Sequence, residues 1–117
     1  MIHLTPEEIT QLNDAAYEIR KKSIEMVVAA KWGHLGGAFS LAEVFAVLYH
    51  KVLDITPENV TSTTRDQMVL SKAHSSPVMY TAMAQKGLIK EEDLFTYCRI
   101  GGLEGHLDAL DNPAVDM

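Results

Sequence analysis

"QMVLSKAH", residues 67–74, is the stretch on which the fold class turns. Met68, Val69 and Leu70 form a short apolar run that follows a polar loop and leads to His74. A run of this length, bounded by turn formers, predicts a buried strand. No other segment of the 117-residue chain matches it, and one strand cannot make a sheet. Two architectures stay open. In one the chain is almost wholly helical. In the other it is α/β and mostly helical, with one strand near residues 67–71 pairing with strands from sequence outside the chain. We expect the second. It would give His74 a role, since ligands of open α/β sheets bind outside the carboxyl ends of strands.

Helical patterns surround that run. "LTPEEITQLNDAAYEIRKKSIEMVVAA" (4–30) opens with a capping box: Thr5 as N-cap, Pro6 in the first helical position, Glu8 reaching back. Ile9, Leu12, Ala16, Ile19, Ser23, Met26 and Ala30 keep helical spacing, which predicts one long amphipathic helix through about residue 31, stopped by Gly33. "SLAEVFAVLYHKVL" (40–53) offers a second capping box, Ser40 with Glu43, ahead of a helix apolar on most sides and expected to be deeply buried. "DITPENVTSTTRD" (54–66) is a connecting loop. "SSPVMYTAMAQKG" (75–87) predicts a helix with Ser76 as N-cap, Pro77 first and Gly87 as stop. "KEEDLFTYCRI" (90–100) is a short amphipathic helix, and "GGLEGHLDALDNPAVDM" (101–117) a loop-like tail.

Hydrophobic residues at 47% and charged residues at 22% fit one globular domain, or a piece of a larger one, and argue against disorder. A formal net charge of −6 with no basic stripe argues against nucleic acid as a partner. Cys98 is the lone cysteine, so no internal disulfide forms. The N-terminus lacks a secretory pattern, and no apolar run reaches membrane-spanning length, so we expect no membrane partner and a cytoplasmic location.

Five histidines are present. His3 precedes the first helix and His50 ends the second, ordinary positions for surface residues. His34 in "GHLGG", His74 in "SKAH" and His106 in "GGLEGHLD" fall in loops instead. Glycines beside His34 and His106 let backbone approach a bound group and free its N–H donors. Imidazoles donate to phosphate or hydroxyl oxygens and exchange protons near neutral pH. Taken singly, each is as compatible with a structural or solvated histidine. Their spacing lacks the short ligand intervals of zinc motifs, so we expect no metal ligands among them. Lys72 and Arg65 are candidates to steer an anionic substrate, with a solvated surface charge as the plainer alternative. Spacing alone stops at an anion site.

Three segments taken together go further. "GHLGGAFSLAEVFAVLYH", "RDQMVLSKAHSSPVMYTAMAQKG" and "GGLEGHLDALDNPAVDM" resemble, in order and in spacing, the N-terminal portion of the transketolase family. The resemblance runs from about Arg20 to the end. It implies that residues 1–117 are part of a thiamine-diphosphate-binding domain, cut before the metal-binding motif. It implies an enzyme that transfers a two-carbon ketol unit between sugar phosphates with thiamine diphosphate and Mg²⁺ or a similar ion. By motif matching, His34 corresponds to the catalytic and donor-contacting histidine, His106 to the one binding the hydroxyls of the two-carbon fragment, and His74 to the one beside the cofactor. Leu35 and Leu107 stand where the family usually has proline, and Ala73 where it often has glycine. The family's Gly-rich cofactor loop, its G-D-G…N metal segment and its pyrimidine-binding domain are not in these residues. The resemblance therefore implies a homo- or hetero-oligomer whose other chains, or further sequence, complete the site. The alternative is a catalytically inert relative with a structural or interaction role.

Overall fold

The computed structural model describes residues 3–109 and 112–116; the predicted tail loop extends over residues 110, 111 and 117, which lie outside the described residues. All regular structure among the described residues is helical: α1 (Pro6–Ala30), α2 (Gly36–Val47), α3 (Ser76–Gln85), a π-helical turn Leu48–Val52, and 3₁₀ turns at Ala73–Ser75 and Glu91–Thr96. This overturns the α/β expectation. Residues 67–71 are not a strand: the Met68 amide donates to Asp116 Oδ2 at 2.9 Å, Leu70 is buried and Val69 is 59% exposed. A strand is defined by its ladder, and no second extended segment among the described residues offers one. Apolar character alone buried one residue of the run and left its neighbour in solvent.

α1 starts as predicted. The Glu8 amide donates to Thr5 Oγ1 at 3.2 Å and the Thr5 amide to Glu8 Oε2 at 2.9 Å. Its last turn closes with Trp32 N–H on Val27 O and Lys31 N–H on Val28 O, the paired bonds of a Schellman ending. Lys31 takes the left-handed position, at φ 55°, so the helix has ended before Gly33. Leu12, Ala16, Ile19, Ser23 and Met26 form its buried stripe.

α2 departs from expectation at both points. It begins at Gly36, four residues before Ser40. The Phe39 amide already bonds Leu35 O at 2.8 Å, so Ser40 is interior and its hydroxyl turns back to Gly37 O. Glu43, with no cap to complete, pairs with Arg20 of α1 at 2.7 Å. The helix buries a narrow face, Ala38, Ala42, Phe45 and Ala46, while Val44 stays 48% exposed. Small residues there let α1 lie close. In the π-helical turn, buried Tyr49 stacks on Phe45, ring centroids 5.8 Å apart, and half-buried His50 meets Gln85 of α3 at 2.9 Å. His3 is exposed.

α3 is the central helix: every residue from Ser76 to Met83 is buried. It starts one residue earlier than predicted, with Ser75 in the cap position and no side-chain cap. Gly87, at φ 77°, ends it, with Leu88 N–H on Met83 O and Gly87 N–H on Ala84 O. The predicted fourth helix is a 3₁₀ segment that buries only Leu94.

Arg65 is neither a free anion-steering group nor a solvated charge. Its guanidinium grips Asp116 with two bonds of 2.6 and 2.9 Å and also reaches Val60 O, Asp66 O and Pro113 O. The two side chains are only 5% and 10% exposed. Burial pushes the Asp116 carboxyl up, but the Arg65 bonds and the Met68 amide outweigh it and hold it below the usual carboxylate value. The contribution of this pair is thus complete above the unfolded-state value of about 3.9 and is lost as pH falls through the lower folded value. Asp116→Ala leaves a buried guanidinium without its counter-ion and is expected to cost about 3 kcal/mol in urea unfolding at pH 7. The gap between variant and parent should begin to narrow as pH falls below about 3.9 and close only below the lower folded value. An unchanged urea midpoint at pH 7 would show that the pair is not buried as described.

Candidate functional site

The three loop histidines reach the surface by three different devices. His34 sits between α1 and α2, where the chain has just turned through Lys31 and passes Gly33 at φ 131°. Gly33 is required for a second reason: a Cβ there would lie 3.0 Å from Val27 Cγ2 and 3.2 Å from Tyr97 Cε1. The loop is thus pressed against the Tyr97 ring. His74 sits in the 3₁₀ turn that feeds α3, closed by the Ser75 amide on Lys72 O at 2.9 Å. His106 follows a loop tied to α3 by Ser76 Oγ donating to Gly105 O at 2.5 Å and Tyr80 Oη donating to Glu104 O at 2.9 Å.

Two of the histidines share a cleft. His34 and His106 both line an open hollow of about 770 Å³, together with Trp32, Tyr97, Arg99 and Glu104. His74 does not line it, but its ring meets the His34 ring edge to face, centroids 5.5 Å apart and planes at 80°. His34 therefore joins the other two. All three imidazoles are exposed, and no hydrogen bond to another described residue occupies them. A second hollow of about 510 Å³ shares Gly101 and Glu104 with this cleft; Asp93, Asp108 and Asn112 line it among others, and none of the three histidines does.

Gly36 and Gly37 are not equivalent. Nothing lies near a Cβ at Gly36, whereas one at Gly37 would collide with Ser75 Oγ. That hydroxyl is buried without a hydrogen-bond partner among the described residues, and Lys72 Nζ, 3.4 Å from Ser40 Oγ, lies close by. Sequence reasoning missed this contact, as it missed Trp32, Tyr97 and Arg99 as walls of the cleft. The Ser75-Ser76 pair ahead of Pro77 is the available signal, and its pattern suits helix capping equally well.

The donor set fits a cofactor and a metal unequally. Unengaged imidazoles, with Lys72 and the orphaned Ser75 hydroxyl beside the first turn of α2, suit hydroxyl and anionic oxygens. No group of three His, Cys, Asp or Glu residues among the described ones is disposed to hold a metal ion. No helix is long and apolar enough to cross a membrane among the described residues.

Known proteins match along nearly the whole chain. A family model for the transketolase thiamine-diphosphate-binding domain covers residues 11–117. The 6-deoxy-6-sulfo-D-fructose transketolase subunit SqwG of Clostridium sp. (strain MSTE9) is 38% identical over 112 residues, 95% of this chain and 41% of that protein. An apulose-4-phosphate transketolase subunit of Phocaeicola vulgatus is 33% identical over 99 residues, 84% of this chain and 35% of that one. Transketolase from Leishmania mexicana superposes with a TM-score of 0.80 at 26% identity, covering 97% of this chain and 16% of its own. The chain thus spans about two fifths of the first relative and less of the others.

The glycines give a paired test. Gly33→Ala must adopt φ 131° and push against Val27 and Tyr97, so it should lower stability by about 2 kcal/mol. Gly36→Ala meets nothing and should be neutral or stabilising by about 0.5 kcal/mol. Thermal unfolding of both variants measures the difference. Equal melting temperatures would remove the close approach of the His34 loop to Tyr97.

Proposed function

This chain belongs to the transketolase family, through its thiamine-diphosphate-binding domain, and from that premise we propose that it forms part of an enzyme moving a two-carbon ketol unit between sugar phosphates. The observation that carries the proposal is the shared cleft of His34 and His106, with His74 against the edge of His34. Two loops distant in sequence meet at that cleft and a third touches the first through its histidine ring, each carrying one of the histidines that the family resemblance marks.

Thiamine diphosphate, when bound, supplies the nucleophile and electron sink that C–C bond cleavage requires. The residues of this chain do the remaining work. His34 contacts the donor and takes or returns a hydroxyl proton at its ring nitrogen. His106 donates to the hydroxyl oxygens of the two-carbon fragment and fixes its orientation. His74, whose ring meets the His34 ring, would be the one to hold the cofactor. Positioned imidazoles of this kind contribute about 10²–10⁴-fold in rate. We assign no metal ligand in this chain: Mg²⁺ or a similar ion would be held by further sequence or by partner chains, in a homo- or hetero-oligomer. Two of the similar proteins are named as subunits, which supports that arrangement. A cytoplasmic setting suits sugar phosphate substrates.

Calorimetric titration tests the assignment. Thiamine diphosphate with Mg²⁺ should bind weakly or not at all to the chain alone and tightly once the metal-ligand segment is joined or added. Absence of binding in both cases would leave the inert, structural relative as the reading. In the complete assembly, His34→Ala should lower turnover about a hundredfold or more with little change in cofactor affinity. If cofactor affinity alone fell, His34 would belong to the cofactor and not to the substrate.

A further inference from the structure

The fold accounts for the backbone at residue 32 and leaves its side chain without a use. The Trp32 amide closes α1 on Val27 O at 3.3 Å, between Lys31 at φ 55° and Gly33 at φ 131°. Any residue but proline supplies that N–H, so the helix ending does not ask for an indole. The ring joins no core: it is 69% exposed, on the wall of the cleft that holds His34 and His106. Its ring N–H meets no other described residue. Trp32 is also the only tryptophan of the chain. An aromatic side chain of this size left in water beside a cleft marks a binding surface.

The cleft wall has two characters. His34 and His106 offer polar nitrogens, while Trp32 and Ile100, both exposed, offer apolar surface. A sugar carbon chain has the same duality, with hydroxyl oxygens and, between them, C–H groups of slight positive charge. The imidazoles suit the hydroxyls. The face of an indole carries the negative side of its ring quadrupole and attracts the C–H groups. We propose that Trp32 is a substrate-positioning residue, its ring lying along the C–H side of the sugar while His34 and His106 take the hydroxyls. This role rests on the functional reading above and adds a residue that the reading does not use. Under it the cleft stays open in the complete enzyme, because the sugar reaches His34 and His106 through it. A side chain on its wall therefore meets what enters. The loop is set before the sugar arrives: the Val27 bond fixes residue 32, and contact with Tyr97 fixes Gly33. An indole exchanges no proton with the sugar and makes the same contact in ground and transition states, so its effect falls on binding.

A fluorine label reads this residue alone. Grown on fluorotryptophan, the chain carries one label, because it has one tryptophan. It should give one fluorine resonance in the complete assembly, to which the remaining sequence or partner chains are added unlabelled. Titration with D-fructose 6-phosphate should shift that resonance to saturation, and inorganic phosphate should leave it in place. With D-ribose 5-phosphate as acceptor, Trp32→Ala should raise the KM for the donor about tenfold and keep kcat within about twofold of the parent. Trp32→Phe keeps a ring face and should stay within about threefold of the parental KM. Circular dichroism should be unchanged in both, since the side chain is exposed and the amide is retained. A resonance that ignores the sugar, or Trp32→Ala at the parental KM, would overturn the assignment. So would a fall in kcat alone, which would make Trp32 a prop for the His34 loop. Loss of turnover in His34→Ala beside an unaffected Trp32→Ala would overturn it and leave the functional reading standing. An assembly that transfers no ketol unit would remove that reading, and this role with it.

Discussion

A helix buried on every side must satisfy its hydroxyls without water, and that constraint on α3 organises the rest of the molecule. Thr81 solves it locally, donating to Pro77 O at 2.8 Å. Ser76 and Tyr80 solve it by donating to Gly105 O and Glu104 O. Those two bonds draw the C-terminal loop back across the helix and set His106 beside the α1–α2 connection. The Tyr97 ring, edge-on to Tyr80, fills the space between and leaves room for backbone alone at Gly33. The polar groups of one helix thus fix the relation between two glycine-flanked histidines that lie 72 positions apart in the chain.

What could be read from the sequence was what depends on neighbours along the chain. The Thr5–Glu8 cap, the buried stripe of α1 and the stop at Gly87 follow from spacing and side-chain chemistry within a turn or two. The strand at 67–71 failed because a strand needs a partner that local pattern cannot supply. Ser40 failed for a related reason. Its sequence suits a cap, but Leu35 O had already opened the helix ladder, and Arg20 of another helix claimed Glu43. Arg65 looks like a surface charge in its local sequence because Asp116, which buries it, lies 51 residues away.

The site divides the same way. His34, His74 and His106 were legible as candidates from loop position, and the family resemblance assigned them roles. Their arrangement was not legible. That His34 touches His74 and shares a cleft with His106 depends on α3 and Tyr97, which do not announce themselves near either glycine cluster. Ser75 and Gly37 show the same limit, for neither residue suggests alone that one exists to make room for the other.

The central claim is that packing on α3 and Tyr97 holds the His34 loop in one place. Nuclear Overhauser spectroscopy on the isotopically labelled chain measures this directly. The account predicts cross-peaks between the Gly33 α protons and the Tyr97 ring, and between the His34 and His74 rings, whose centroids lie 5.5 Å apart. Spectra that show the folded helical core but neither set of cross-peaks would contradict it.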